Sequence, residues 1–105
     1  MNEDRAVYAA AAAAAREDRA AVLATIVRCR GSTPRGVGSK MLVEPERGLV
    51  GTVGGGCGEA EVIDAAREVA RSGEPRLIRV ELTEDLLSWS PAVCGGTFDV
   101  FLERV

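Results

Sequence analysis

Histidine is absent from this 105-residue chain, and its absence removes a large share of enzyme chemistry. A Cys–His hydrolase is excluded, because no imidazole exists to act as base. A zinc site is disfavoured as well, since the three cysteines, Cys29, Cys57 and Cys94, include no C-x-x-C pair. An odd cysteine count argues against a disulfide framework, and the acidic start Met1-Asn2-Glu3-Asp4 does not read as a secretory leader. No apolar stretch is long enough to span a bilayer; the alanines Ala9–Ala15 lie between charged residues. Together these absences point to free thiols in a reducing cytoplasmic setting. Aromatic residues make up only 4%, without basic residues interleaved, and the net charge is −3. A general nucleic-acid binder is set aside on those grounds.

What is present is unevenly placed. No acid occurs between Asp18 and Glu44, yet Arg19, Arg28, Arg30, Arg35 and Lys40 all fall there. A local positive field in an acidic protein suits an anionic small molecule; a solvated basic face is the alternative. The hydrophobic content of 47% is that of a globular protein. A chain of this size buries roughly two-thirds of its unfolded surface in one domain without staples.

Alanine-rich residues 3–19 predict a helix, with Asn2 as cap and Glu3 and Asp4 favourable in its first turn. An alanine stripe buries little, so this helix should pack closely on something flat. Residues 22–27 form a continuous apolar run, the pattern of a strand covered on both faces. Residues 41–43 and 49–53 flank a five-residue connection and read as a hairpin. A second helix should span residues 58–71, with Val62, Ile63, Ala66, Val69 and Ala70 on one face and Ser72-Gly73 as its stop. Residues 77–82 and 97–103 are two more strands, with Phe98, Val100 and Leu102 pointing inward; the loop between them carries Trp89. The expected fold is α/β (α+β): a single domain over residues 1–105, with one small mixed sheet of about five strands and two packed helices.

Glycine and cysteine cluster at two places, Gly54-Gly55-Gly56-Cys57-Gly58-Glu59 and Cys94-Gly95-Gly96. The first joins a strand to a helix start, a geometry that presents backbone N–H groups to an anion. It is neither a dinucleotide fingerprint nor a Walker A loop, for the required glycine or Lys-Ser/Thr pair is missing. A tight turn forced by crowding explains it equally well. Cys57 sits at the expected helix N-terminus, where a thiol pKa is lowered. Cys94 precedes two glycines, while Cys29 reads as a small hydrophobe ending a strand. In Ser32-Thr33-Pro34-Arg35, Pro34 holds Thr33 extended and Arg35 offers a forked donor for phosphate or carboxylate.

Taken together, Gly31-Ser32-Thr33-Pro34-Arg35, Gly51-Thr52-Val53-Gly54-Gly55-Gly56-Cys57 with Glu59, and Cys94-Gly95-Gly96 before a strand ending in Leu102-Glu103 resemble the XdhC/CoxI family. That family is the accessory group for molybdenum hydroxylases such as xanthine dehydrogenase and carbon monoxide dehydrogenase, and the resemblance runs over residues 22–103. It implies a chaperone or maturation factor, not a catalyst. Such a protein binds the molybdenum cofactor (molybdopterin) as transient cargo, supports its sulfuration by a cysteine desulfurase, and hands it to an apo molybdenum hydroxylase. The resemblance places cofactor contacts at Ser32, Thr33, Arg35, Lys40, Gly54, Gly55, Gly56, Cys57, Glu59, Cys94, Gly95 and Gly96. The phosphate would lie near Arg35, Lys40 and the amides of Gly55 and Gly56. Cys57 and Cys94 would be soft groups near molybdenum, with no resident metal. Many members carry a C-terminal Rossmann-like domain, which is expected to be absent here; a homodimer would supply a missing wall. Two alternatives stay open: a docking module for maturation proteins that binds no cofactor, and a sulfur carrier with a persulfide on Cys57.

Overall fold

In the computed structural model the described residues are 2–54, 58–82 and 95–105. The elements run α1 (Asn2–Arg16), β1 (Val22–Arg30), β2 (Lys40–Glu44), β3 (Gly48–Gly51), α2 (Glu59–Ser72), β4 (Arg76–Glu81) and β5 (Thr97–Arg104). The five expected strands and two expected helices are therefore all present. The loop bearing Trp89 lies outside the described residues.

The strands form one sheet in the order β3-β2-β1-β5-β4, and each pairing is antiparallel. After the β2–β3 hairpin, α2 carries the chain across a sheet face from one edge strand to the other. The face beneath α2 is made by alternate residues, as a period of two requires. Val22, Ala24 and Ile26 of β1, Met41 and Val43 of β2, Val80 of β4, and Phe98, Val100 and Leu102 of β5 are all buried there. Onto them α2 lowers Val62, Ala65, Ala66 and Val69, with Ile63 and Ala70 at the margin. Each fully buried valine in this layer contributes about 1.5–3 kcal/mol. The helix stops at Gly73, whose φ of 76° lets its N–H reach Val69 O at 2.8 Å.

The opposite face is only partly covered. α1 seats Val7 and Ala14 against Leu42, with Leu23 and Val50 beside them. Its close approach depends on Gly51 (φ +82°), where a Cβ would lie 2.7 Å from Val7 Cγ2 and 2.6 Å from Lys40 O. The alanine stripe thus packs on a flat strand pair, as expected. However, α1 reaches β3 and β2 and stops there. The expectation of a β1 covered on both faces is corrected accordingly: Leu23 and Thr25 are half-buried and Val27 is 47% exposed. Near Val27 the register with β5 shifts between Ile26 and Arg28. This bulge turns Cys29, opposite Phe98, toward the α2 core, and sets Arg28 and Arg30 on the open face.

The helix predicted to Arg19 ends earlier, at Arg16, because the chain closes a Schellman turn. Asp18 takes a positive φ of 54°, a conformation that aspartate tolerates, and Arg19 N donates to Ala14 O at 2.8 Å. Arg19 is thereby aimed at Glu44, the buried charged residue at the end of β2, with Nε 3.0 Å from Oε2.

Candidate functional site

The end of β1 and the start of β5 meet glycine to glycine. Gly31 has a φ of +72°, and a Cβ there would stand 3.1 Å from Gly96 Cα. At Gly96 the fit is tighter: a Cβ would lie 2.4 Å from Arg30 O and 2.5 Å from Ser32 O. The Gly96 N–H donates to Ser32 O at 2.9 Å, and Gly96 O accepts from Leu82 N at 2.9 Å. Three separate segments, the β1 exit, the β4 exit and the β5 entry, therefore cross at one residue without a side chain.

In the loop leaving Gly31, one carbonyl gathers two donors. Arg35 O accepts from Thr33 Oγ1 at 2.9 Å and from the Cys29 thiol at 3.6 Å. Cys29 is half-buried and packs on the main core, matching its reading as a small hydrophobe. The loop then zips back onto the bulge, with Gly38 N donating to Ile26 O at 2.8 Å and Ile26 N to Ser39 O at 2.9 Å. Lys40 Nζ donates to Gly38 O at 2.9 Å and lies 5.7 Å from the centre of the Tyr8 ring. Its charge is thus engaged on the α1 face, away from the start of α2.

The third motif is built around Gly58. With a φ of 72° it caps α2, and it leans on the ends of β4 and β5. A Cβ at Gly58 would sit 2.6 Å from Val80 Cγ1 and 3.2 Å from Leu82 Cδ2. The turn it makes sends Glu59 back toward the end of β3. There the Glu59 carboxylate accepts from Thr52 Oγ1 and, at 3.3 Å, from Gly54 N. A carboxylate in the first helical turn also complements the α2 dipole.

Three sequence-distant motifs consequently share one end of the sheet. Ser32 bonds Gly96, Thr33 and Arg35 continue from it, Gly96 bonds Leu82, and Leu82 lies against Gly58 beside Glu59. Lys40 is the expected member that the fold directs elsewhere. Gly55, Gly56, Cys57 and Cys94 lie outside the described residues. Among the described residues, no group of His, Cys, Asp and Glu could hold a metal ion. No described helix is long and apolar enough to cross a membrane. Sequence reasoning missed the Thr52–Glu59 bond and the crowded roles of Gly31 and Gly58. A glycine directly before a helix start was the visible signal for Gly58; the partnership of Thr52 with Glu59 had none. A hollow of about 310 Å³ lies at the other end of the sheet, lined by Asp18, Arg19, Glu44 and Arg47 among others. Two of its lining residues, Arg19 and Glu44, pair with each other.

Comparison with known proteins gives the family. The model of the XdhC and CoxI family matches residues 14–81. A protein of Bacillus subtilis (strain 168), named as a probable component of xanthine dehydrogenase, is 37% identical over 87 residues, covering 81% of this chain and 26% of its own length. The molybdenum cofactor insertion chaperone PaoD of Escherichia coli (strain K12) is 36% identical over 106 aligned positions, covering 99% of this chain and 32% of its own. A crystal structure described as a xanthine dehydrogenase from Bacillus halodurans superposes with a TM-score of 0.74 at 36% identity, over 91% of this chain and 29% of that one. The chain spans less than a third of the length of these relatives.

Proposed function

The chain belongs to the XdhC and CoxI family, and from that premise we propose that it is a maturation factor for a molybdenum hydroxylase, carrying the molybdenum cofactor as transient cargo. It receives the cofactor, holds it while a cysteine desulfurase supplies the terminal sulfur, and passes it to the apo-enzyme in a reducing cytoplasm. In this reading it performs no catalysis itself. The observation that carries the proposal is the meeting of the three motifs at one sheet end, where Gly31 and Gly96 let the main chains pack directly on one another. A relative named as a molybdenum cofactor insertion chaperone supports it from outside the structure. Ser32, Thr33, Arg35, Gly54, Gly95 and Gly96 would form the wall against which the cargo rests. Gly55 and Gly56 would add backbone donors, and Cys57 and Cys94 would be thiols near molybdenum. A second copy of the chain would close an incomplete wall.

The test is anaerobic mixing with molybdenum cofactor, gel filtration, and pterin fluorescence of the protein peak, beside Cys57→Ala and Cys94→Ala. Co-elution that both substitutions weaken is the expected result. Absence of co-elution, where a longer relative retains the cofactor under the same conditions, would refute a carrier function for this chain.

One observation favours a second reading, a docking module. The β1–β5–β4 part of the open face carries Thr25, Phe101 and Leu77 in one row, with Leu77 60% exposed. The next row holds Arg28, Asp99 and Arg79. If docking is the whole function, Leu77→Glu abolishes capture of the client apo-enzyme while Cys57→Ala and Cys94→Ala leave it intact.

A further inference from the structure

Residues 55–57 separate two stems. On one side Thr52 and Gly54 follow the end of β3; on the other, Gly58 opens α2. Each stem is anchored differently. Gly58 is pinned by contact, since its place against Val80 and Leu82 leaves no room even for a Cβ. The β3 stem follows an edge strand of four residues, the shortest in the sheet, so it has little pairing of its own to hold it.

Glu59 links the two. Its Oε1 accepts from both Thr52 Oγ1 and Gly54 N, so a single carboxylate oxygen ties the β3 stem to the first residue of α2. The bond to Gly54 is charge-assisted and lies across the turn rather than along the helix. It also uses the one described N–H of the triple glycine, which is then not available to an incoming anion. A negative charge already occupies the start of α2, where a ligand phosphate would otherwise be drawn.

We propose that Glu59 is a positioning residue, holding Thr52 and Gly54 against the start of α2, and is not itself a contact for the cargo. The fold makes this role local. The left-handed Gly58 lets the next side chain reach Thr52 and Gly54, and the α2–sheet contact keeps it there. The consequence for cargo binding rests on the carrier function proposed above; the bridging role does not.

Glutamine separates geometry from charge, because its carbonyl oxygen can accept both bonds while carrying no charge. The full chain and its Glu59→Ala, Glu59→Gln and Thr52→Val variants are compared in two ways that need no cofactor. The first is amide hydrogen exchange of Gly54, with Val100 in the core as the reference. The second is the alkylation rate of Cys57 relative to Cys29 in the same sample, by mass spectrometry across neutral pH. Glu59→Ala is expected to speed Gly54 exchange by about tenfold or more relative to Val100, the size of a lost charge-assisted bond, and to change the Cys57:Cys29 ratio. Glu59→Gln keeps both acceptor positions through a neutral bond about half as strong, so Gly54 exchange should stay closer to the unaltered chain than to Glu59→Ala. Thr52→Val should fall between them. Glutamine and alanine behaving alike would show that charge, not position, matters, and would overturn the proposal. So would Gly54 exchange that is unchanged in Glu59→Ala or in Thr52→Val. Cofactor co-elution is then the third readout, expected to be lost in Glu59→Ala and kept in Glu59→Gln. If the unaltered chain binds no cofactor, the carrier reading fails while the exchange and alkylation results still decide the role of Glu59.

Discussion

Gly96 and Gly36 lie close to the same loop, and replacing each with alanine should give opposite results. At Gly96 the added methyl would meet Arg30 O at 2.4 Å and Ser32 O at 2.5 Å. Carbon and carbonyl oxygen ordinarily approach no closer than about 3.3 Å, so the two carbonyls must retreat by about 0.8–0.9 Å. Neither is a flexible side-chain tip. Ser32 O is the acceptor for Gly96 N, and Arg30 lies in the β1–β5 ladder opposite Thr97. Overpacking of this kind costs about 1–3 kcal/mol, and loss of the Gly96–Ser32 bond adds about 1 kcal/mol. Gly96→Ala should therefore destabilise by about 2–4 kcal/mol. At roughly 4–8 °C per kcal/mol for a domain near this size, the melting temperature should fall by roughly 8–32 °C. At Gly36 a Cβ would meet nothing within 4 Å, and its backbone is not left-handed. Gly36→Ala should be neutral, or stabilising by about 0.4–1 kcal/mol through the unfolded chain. Urea denaturation followed by circular dichroism measures both. A Gly96→Ala variant within about 0.5 kcal/mol of the unaltered chain, the range of ordinary surface changes, would refute the reasoning that the β1 exit and β5 entry are locked together.

The Arg19–Glu44 pair gives a second test: Arg19→Met would leave the buried Glu44 carboxylate without its 3.0 Å partner and should lower the urea midpoint. Adding Glu44→Met should recover most of that loss, and a double variant as unstable as the single one would show that the charge pair is not the cause. Glu17 supplies a pH dependence. A hydrogen bond from Arg19, and its charge, hold the Glu17 carboxyl below the ordinary glutamate range. The folded protein thus binds this proton less readily than the unfolded chain, so the stabilisation is complete above the ordinary glutamate pKa and is lost as pH falls through the lowered one. Urea midpoints across that acidic window should fall less steeply for Glu17→Gln; equal slopes would refute the assignment.

The parts of the fold that were legible in the sequence are those in which neighbours in the chain settle the outcome. Val62, Ala66 and Val69 carry helical spacing and Gly73 the left-handed stop, so α2 could be read directly. Phe98, Val100 and Leu102 alternate, and they do face the core. Where the outcome depended on distant partners, the reading slipped. Residues 17–19 look helical until Asp18 turns left-handed and Arg19 is drawn toward Glu44. The apolar run of β1 says nothing of how far α1 extends over it. Lys40 belongs to the same basic stretch as Arg35, and β2 sets it on the face where Tyr8 lies.

The same distinction explains why the candidate site could be named residue by residue yet not assembled. The motifs around residues 31–35, 54–59 and 95–96 are separated along the chain by whole elements. Antiparallel pairing makes β1 end where β5 begins, and the crossover through α2 starts above the exit of β4. Convergence is thus a property of topology, which no single motif encodes. What holds the end together also differs from the core. It is backbone contact at Gly31 and Gly96 with a few hydrogen bonds, while Gly58, like the rest of the sheet, meets buried apolar side chains. Hydrophobic burial is tolerant of volume-conserving exchange, whereas a contact between main chains tolerates no added carbon. The site end should therefore accept fewer substitutions than the core, even though it buries less apolar surface. Its glycines follow from that packing before any ligand is considered, and this separates the turn at Gly58, which crowding alone explains, from Glu59, whose carboxylate crosses to a strand that the crowding does not reach.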